Sequence, residues 1–229
     1  MDATTWLNAL QICDSFFPVG AFAYSDGLET AVAHQWVRDR QTLNQWMESW
    51  CGHTFRFCEG PALLGVMKAW HQKNWDTLSG IDHELTAMKP SSESRESSHT
   101  LGKRLLKTSL PLYPDSDLEQ LHEKILQGQL KGNSITVYAV LLSVAGLNGE
   151  AALLSYGYIR LTGMISAALR LMSFGQQEGQ AVLNARLKDL AQIVLRIPDS
   201  DEPLLLNFSP VVDIAQMNHP FLYSRLFRS

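Results

Sequence analysis

The chain has 229 residues, of which 45% are hydrophobic and 18% are charged, and its formal net charge is -4. This length and composition allow a large hydrophobic core and argue against disorder. The charge is mild and no long block carries one sign, so we expect neither a nucleic acid nor an anionic membrane surface as a partner.

Cysteine usage and the length of the apolar runs indicate the cellular compartment. The three cysteines, Cys13, Cys51 and Cys58, are an odd and sparse set, unlike the disulfide framework of a secreted protein. No basic region precedes an apolar run at the N-terminus, and the longest apolar run, 135–147, is too short to span a bilayer. We therefore expect a soluble, cytoplasmic protein.

Apolar residues recur at three- and four-residue steps through the first half of the chain, which predicts helices. The first runs from Thr4 or Thr5 toward Pro18, and later ones begin at the capping residue Asp39 and at Asn74 or Asp76. The helix after Asp39 continues or bends near Gly52, and Glu59-Gly60-Pro61 is expected to interrupt the pattern.

The second half continues the helical pattern. Residues 91–108 form an amphipathic helix with a basic face, whereas 135–145 and 151–172 are apolar nearly all round and are predicted to be central helices. A last long helix covers 176–195, and from Asp199 onward the helical period is lost. We predict an all-α fold: a single-domain helical bundle, 1–229, of roughly eight to ten helices with an irregular C-terminal tail, 199–229.

One loop, residues 15–29, is specified residue by residue; we name it the motif loop. Pro18 fixes its own φ, Gly20 can adopt positive φ, and Asp26-Gly27 is strong turn chemistry in which Asp26 can cap the next helix. Its composition is compatible with two roles. Its aromatic residues either plug the end of the bundle or form a recognition surface.

Ser25 gives the chain one candidate for catalysis. Residues 23–27, Ala-Tyr-Ser-Asp-Gly, approximate the G-x-S-x-G elbow of serine hydrolases, with alanine at the first glycine. That elbow joins a strand to a helix, whereas a helical pattern precedes Ser25, so a serine hydrolase is only the alternative interpretation. No P-loop or H-E-x-x-H motif is present, and we expect no enzyme activity.

Two further sets of residues are candidates for binding. In the tail, aromatic and leucine side chains are interleaved with arginines, the residue types that anchor protein interfaces: Tyr223, Arg225, Leu226, Phe227 and Arg228. The tail either binds a partner or folds back over its own core. The basic face of residues 91–108 carries Arg95, Lys103, Arg104 and Lys107, which either binds a partner or is simply solvated.

The cysteines do not form a metal site that we can define. Cys51, His53 and Cys58 are close in sequence, but their spacing matches no known ligand set, and buried thiols explain the cysteines better. We expect no metal site and no cofactor in this chain.

Residues 18–29, Pro-Val-Gly-Ala-Phe-Ala-Tyr-Ser-Asp-Gly-Leu-Glu, resemble the P-V-G-G-F-x-Y-S-x-G-L-E signature of the urease accessory protein UreF family. Further segments resemble that family's landmarks in the same order: Glu59-Gly60-Pro61-Ala62, Arg95-Glu96-Ser97, 175–180 and 223–229. Ala21 replaces the second glycine of the signature, and Ser134 and Val140 stand where the family often has histidine and glycine.

The resemblance implies an all-α, non-enzymatic chaperone that helps to insert nickel into apo-urease. Family members dimerise, bind the partner UreD or UreH, and recruit the nickel-binding GTPase UreG, whose nucleotide cycle they are thought to modulate. Nickel would be handled by the complex rather than by a site in this chain, and the tail from Asp213 would become ordered against UreD/UreH.

The resemblance also implies a set of partner-binding residues. They lie in the motif loop, on the predicted basic helix and at the C-terminus: Pro18, Gly20, Tyr24, Ser25, Gly27, Glu29, Arg95, Tyr223, Arg225, Leu226, Phe227 and Arg228. On this interpretation Ser25 is a turn and capping residue, and Phe16, Phe17 and Phe22 anchor the loop inward.

Overall fold

The computed structural model describes residues 2–200 and 203–228, which form helices, turns and loops without a strand. The α-helices are α1 (Ala3–Ile12), α2 (Leu28–Ala33), α3 (Arg40–Ser49), α4 (Gly60–His71), α5 (Trp75–Ala87), α6 (Ser92–Ser109), α7 (Ser116–Leu126), α8 (Ser134–Val144), α9 (Gly149–Leu171), α10 (Gln176–Val194) and α11 (Pro210–Asn218). The prediction of an all-α fold is confirmed. The single domain stays a prediction, and Ser229, the end of the last motif, lies outside the described residues.

A π-helical segment, Trp50–Glu59, joins α3 to α4 without a break, because the residues at both of its ends keep right-handed helical dihedrals. When α3, this segment and α4 are counted together, the described residues contain ten helices. The expected interruption at Glu59-Gly60-Pro61 is therefore wrong. The Gly60 N–H donates to the Phe55 carbonyl, five residues back, which is the hydrogen bond of a π-helix.

Pro61 explains why a distant segment of the chain forms a hydrogen bond with the backbone of this helix. Proline has no N–H to donate four residues back, so the Phe57 carbonyl lacks its usual partner. The Leu206 N–H donates to that carbonyl instead, at 2.8 Å. The irregular segment before α11 is therefore fastened to the π-helical segment.

Side-chain caps fix the starts of several helices. Asp39 and Thr42 form a capping box at α3, with the Thr42 N–H donating to the Asp39 carboxylate at 2.8 Å. Asn74 caps α5 and Asp115 caps α7 through their side-chain oxygens. The predicted cap at Asp39 is confirmed, and of the two predicted starts of α5, Asn74 and Asp76, Asn74 is the cap.

Helix α8 lies at the centre of the fold, where every residue from Ser134 to Ser143 is buried and α4, α6 and α9 pack around it. The prediction of a central helix is confirmed for α8. It is wrong for α9, which buries one side and exposes Tyr158 on the other. The apolar pattern of α9 comes partly from small residues that allow close contact with a neighbouring helix. Gly157, for example, packs directly against Leu190 of α10.

A buried carboxylate positions α8. Asp82 of α5 is fully buried and accepts hydrogen bonds from the backbone N–H groups of Lys131, Gly132 and Asn133 and from the Thr136 hydroxyl. These bonds hold the loop before α8 against α5. A carboxylate with this many donors is stable in a core because its charge is fully hydrogen-bonded.

The tail is more regular than its sequence pattern indicates. Residues 210–218 form α11, and a 3₁₀ turn, His219–Phe221, follows it. Helix α11 packs against α2 and α6, and Ala215 on its inner side is completely buried. The expectation that helical structure ends at Asp199 is therefore wrong for residues 210–218.

Candidate partner-binding site at the junction of the motif loop and the C-terminal arm

The backbone of the motif loop takes its shape from three residues with positive φ: Gly20 at 76°, Asp26 at 52° and Gly27 at 85°. The predicted positive φ at Gly20 is confirmed. Ala21 begins a 3₁₀ turn, Ala21–Ala23, and has no positive φ, so alanine is accommodated there without strain.

The aromatic residues of the loop point in different directions. Phe17 is buried with its neighbour Val19, but Phe16 is 92% exposed and Phe22 is 69% exposed. The prediction that Phe16 and Phe22 anchor the loop inward is therefore wrong, and only Phe17 does so. Pro18 is also exposed. The loop thus presents apolar side chains to the surroundings.

Asp26 ties the loop to α9 through a partly buried arginine. The Arg160 guanidinium lies 2.9 Å from the Asp26 carboxylate and 3.6 Å from that of Glu59. The Tyr156 hydroxyl donates to Glu59 at 3.2 Å, and burial raises the pKa of that hydroxyl well above its usual value, so it remains a donor. The predicted capping role of Asp26 is wrong: the capping position of α2 is Gly27.

A cleft of about 120 Å³ opens beside these charges, and its walls include Tyr24, Asp26, Trp50 and Arg160. The inner side of the motif loop therefore borders a cleft. The loop is not simply a plug of aromatic side chains.

Ser25 is a buried capping residue. Its hydroxyl oxygen accepts the N–H of Glu29 in the first turn of α2, at 3.3 Å, and its side chain is almost inaccessible to solvent. The capping interpretation is confirmed. The hydrolase alternative is wrong, because the elbow it needs begins with a strand and the described residues contain none.

Glu29 joins the motif loop to the end of the chain. We name residues 219–228 the C-terminal arm. The buried Glu29 carboxylate accepts the N–H of Leu226 at 2.5 Å and that of Phe227 at 3.1 Å. The predicted first and last motifs, almost two hundred residues apart in sequence, therefore meet at one side chain.

His219 continues this junction. It is 0% exposed, and its Nε2 atom lies 2.8 Å from a Glu29 oxygen while its Nδ1 atom lies 2.9 Å from a Glu93 oxygen. The other oxygen of Glu93 accepts a hydrogen bond from Arg225 at 3.1 Å. Four charged or polar side chains thus hold the arm between α2 and α6.

Phe227 is the apolar anchor of the arm. Its ring is buried, with the Arg170 guanidinium of α9 4.2 Å from the ring centroid. Arg170 also donates to the Phe22 carbonyl, and the Arg228 N–H donates to the Ala23 carbonyl at 2.8 Å. The end of the arm, Leu226 to Arg228, therefore packs against the motif loop.

Other side chains of the arm remain exposed. Tyr223 is fully exposed and Leu226 is 61% exposed. Helix α11 adds an outward apolar face, formed by Val211, Ile214 and Met217, that Phe221 extends. The arm covers its own core through Phe227, so the prediction that the tail folds back is confirmed for that residue. The arm also presents apolar side chains outward, and partner binding by the tail stays a prediction.

The structure brings five of the twelve predicted site residues together at the junction. Glu29, Arg225, Leu226, Phe227 and Arg228 bond or pack at the junction.

Gly27 contacts α11, where a Cβ would lie 3.2 Å from Ala215 and Gln216. Arg95 bonds next to the junction instead: its guanidinium donates to the carbonyls of Lys89 and Pro90.

Sequence reasoning missed four residues of the site. Glu93, Arg160, Arg170 and His219 belong to helices or turns whose local sequences carry no motif for such a role. Their spatial proximity reveals them. The one signal in the sequence is that His219 stands directly before Pro220, a proline that restricts the backbone in the tail.

Cys51 and Cys58 are core residues, and Cys13 is partly buried and packs against the core. Burial raises the pKa of each thiol, at Cys13, Cys51 and Cys58, to about 12. A thiolate is the form that binds metals, so these thiols are poor ligands in the folded chain. Within residues 2–200 and 203–228, no helix has the length and apolar character needed to cross a membrane.

The fold and this junction define a helical protein organised around a docked terminal arm, and the part of the chain that the structure describes lacks the strand-borne nucleophile of a hydrolase. The sequence model of the UreF family matches residues 37–186. The chain belongs to the UreF family, a family of urease accessory proteins that are not themselves enzymes.

Relatives match along almost the whole chain. The urease accessory protein UreF of Streptococcus salivarius (strain 57.I) is 29% identical over 224 residues, covering 98% of this chain and 94% of that protein. That of Bacillus sp. (strain TB-90) is 29% identical over 226 residues, covering 97% and 98%. That of Haemophilus influenzae (strain PittEE) is 30% identical over 220 residues, covering 96% and 94%.

Proposed function

We propose that this chain is a nickel-insertion chaperone for urease, which bridges UreD/UreH and the GTPase UreG and modulates the GTP-dependent delivery of nickel to apo-urease. Membership of the UreF family supports the urease role. The convergence of the motif loop and the C-terminal arm on Glu29 is the single observation that supports the bridging role, because it combines both motifs into one surface.

The chemistry of that surface fits a protein partner. Phe16, Phe22, Tyr223 and Leu226 expose apolar side chains, and exposed arginines lie among them, including Arg228. Aromatic, leucine and arginine side chains combine apolar area with hydrogen bonding, which suits an interface that excludes water. We propose that UreD/UreH covers the arm and α11.

Nickel, in this proposal, is handled by the complex rather than by a site in this chain. The high pKa of the three thiols supports this, because they stay protonated at neutral pH. We further propose that the chain acts in the cytoplasm and as a homodimer.

Reconstitution tests the function directly. Apo-urease, UreD/UreH, UreG, nickel and GTP are combined with and without this chain, and urease activity is measured. We expect activation to require both the chain and GTP. Equal activation without the chain would contradict the chaperone role.

The contact with UreD/UreH is tested by substituting exposed side chains only. We expect the double variant Tyr223→Ala, Leu226→Ala to bind UreD/UreH at least about tenfold more weakly, since exposed interface anchors are removed while Phe227 stays docked. Leu195→Ala, at an exposed leucine at the end of α10, is the matched control. Unchanged co-purification of the double variant would refute the role of the arm.

A further inference from the structure

The turn from Ser25 to Leu28 sets the direction in which α2 leaves the motif loop. The Leu28 N–H donates to the Ser25 carbonyl at 3.0 Å, and the two central residues, Asp26 and Gly27, have φ of 52° and 85°. Two positive φ values are typical of a type I′ turn. Glycine adopts them readily, whereas aspartate does so less often. A contact that holds the Asp26 side chain therefore stabilises the turn.

Arg160 of α9 supplies that contact from a fixed position. Its guanidinium lies 2.9 Å from the Asp26 carboxylate, 3.6 Å from that of Glu59, and 5.5 Å from the ring centroid of Trp50. Trp50 and Glu59 are the first and last residues of the π-helical segment, and both are buried. The Tyr156 hydroxyl also donates to Glu59, at 3.2 Å. The ion pair thus joins the turn to the π-helical segment and to α9.

Two parts of the proposed partner surface depend on the direction of this turn. Gly27 packs closely against α11, whose nearest atoms lie 3.2 Å from the place that a Cβ would occupy. Glu29, two residues further on, accepts the N–H groups of Leu226 and Phe227. A shift of the turn would therefore move both α11 and the end of the C-terminal arm.

We propose that Arg160 is a positioning residue for the binding of UreD/UreH, and that it acts through Asp26. The ion pair fixes the turn, and the turn places α11 and Glu29, so the outward faces of α11 and the arm have one arrangement in the free chain. A preorganised surface binds more tightly, because less conformational freedom is lost on association. This inference rests on the proposed function, in which UreD/UreH covers the arm and α11.

Hydrogen exchange of the free chain tests the positioning step without a partner. Asp26→Asn retains the size of the side chain and its tolerance of positive φ but removes the charge. We expect exchange of the amides of 226–228 to accelerate by about tenfold, because a hydrogen bond to a charged group is lost. Arg160→Gln should have the same effect. Peptides from α8 serve as the internal reference, because that helix is buried throughout.

The double variant Asp26→Asn, Arg160→Gln tests whether the two residues act as a pair. Each single substitution removes the same interaction, so the double variant should exchange no faster than either single variant. Losses that add up in the double variant would overturn the inference.

Affinity for UreD/UreH separates a positioning role from a merely structural one. Under conditions in which every variant is fully folded, we expect both single variants to bind UreD/UreH about tenfold more weakly. An ion pair that only adds stability would lower the free energy of unfolding and leave the affinity unchanged. Arg160→Lys retains a positive charge that can pair with one carboxylate at a time, and it should recover part of the affinity.

Arg186 provides a matched control. Its guanidinium lies 2.8 Å from the Asp189 carboxylate and 3.6 Å from that of Glu48, so it also has a near and a more distant carboxylate. This cluster joins α10 to α3 rather than to the motif loop. Asp189→Asn should therefore leave both the exchange of 226–228 and the affinity for UreD/UreH unchanged.

The outcomes distinguish this inference from the proposed function. Exchange of 226–228 that is equal in Asp26→Asn and in the unmodified chain would overturn the role of Arg160, as would unchanged affinity in both single variants. If the unmodified chain itself fails to bind UreD/UreH, the proposed function is contradicted instead, and the exchange of 226–228 still decides the positioning step.

Discussion

At the scale of single residues, Glu29 shows how a sequence motif acquires meaning from a distant part of the chain. The motif places a glutamate in the first turn of α2, where its side chain would ordinarily be solvated. Instead it accepts two backbone N–H groups of the C-terminal arm and contacts His219. A buried carboxylate with these donors is stabilised, whereas one without them would be costly.

Gly27 gives a prediction at the same scale. Its φ of 85° is unfavourable for an L-residue, and a Cβ would lie 3.2 Å from both Ala215 and Gln216 of α11. We expect Gly27→Ala to lower the free energy of unfolding by about 1–3 kcal/mol, combining backbone strain with the displacement of α11. Urea unfolding at fixed pH measures this difference.

A second glycine provides the control for that experiment. Gly163 lies inside α9, and a Cβ there would meet nothing within 4 Å. Gly163→Ala should raise the free energy of unfolding by up to about 1 kcal/mol, because alanine is the better helix former. Equal effects of the two substitutions would show that neither the positive φ nor the contact with α11 matters.

The residue scale also marks a limit of sequence reasoning. Gly20, Ser25 and Gly27 could be interpreted locally, because turn and cap chemistry depends on neighbours in sequence. The partners of His219 could not, since Glu29 lies 190 positions away. No local pattern encodes a pair that only the folding of the helices brings together.

At the scale of elements, the rod formed by α3, the π-helical segment and α4 shows why a breaker signal can be misleading. Gly-Pro pairs usually interrupt helices, because proline removes a hydrogen bond and its ring opposes the carbonyl four residues back. Here the hydrogen bonds just before Pro61 run five residues back instead of four. The Phe57 carbonyl, which has no N–H at residue 61 to pair with, accepts a hydrogen bond from the Leu206 N–H. The helix continues through Pro61, and the carbonyl left without an intrahelical partner binds the segment before α11.

Pro61→Ala tests this arrangement. Alanine restores an N–H that can compete for the Phe57 carbonyl, so the bond from Leu206 should weaken. We expect the exchange of amides in 204–208 to accelerate by up to about tenfold, the equivalent of one hydrogen bond. Pro111→Ala in the exposed connector before α7 is the control, and unchanged exchange in 204–208 would contradict the attachment.

The helices themselves could largely be predicted from sequence, because apolar periodicity reports local geometry. Helix α11 could not, since it has only nine residues, of which the first is Pro210, and depends on packing against α2 and α6. The sequence pattern wrongly predicts that α9 is buried on all sides. Its glycine and alanine residues mark close approach to a neighbour, and hydropathy does not distinguish that from burial on all sides.

At the scale of the whole molecule, the three cysteines couple the stability of the fold to pH. Burial raises the pKa of Cys13, Cys51 and Cys58 to about 12, whereas a thiol in the unfolded chain titrates near 8.5 to 9. Between these values the unfolded chain loses protons that the folded chain retains. The contribution of the thiols to stability is therefore intact below about pH 9 and is lost as pH rises toward 12.

We expect the free energy of unfolding to fall above pH 9, by up to about 1.4 kcal/mol per pH unit for each thiol. Buried tyrosines also contribute at high pH, because burial raises the pKa of Tyr138 and Tyr156. The comparison that isolates the thiols uses the double variant Cys51→Ser, Cys58→Ser. Hydroxyl groups do not titrate in this range, so its stability should be lower at pH 8 but should decline less steeply between pH 9 and pH 10.5. Parallel declines in the two proteins, measured by urea unfolding, would show that the thiols are not protonated in the core as their burial requires.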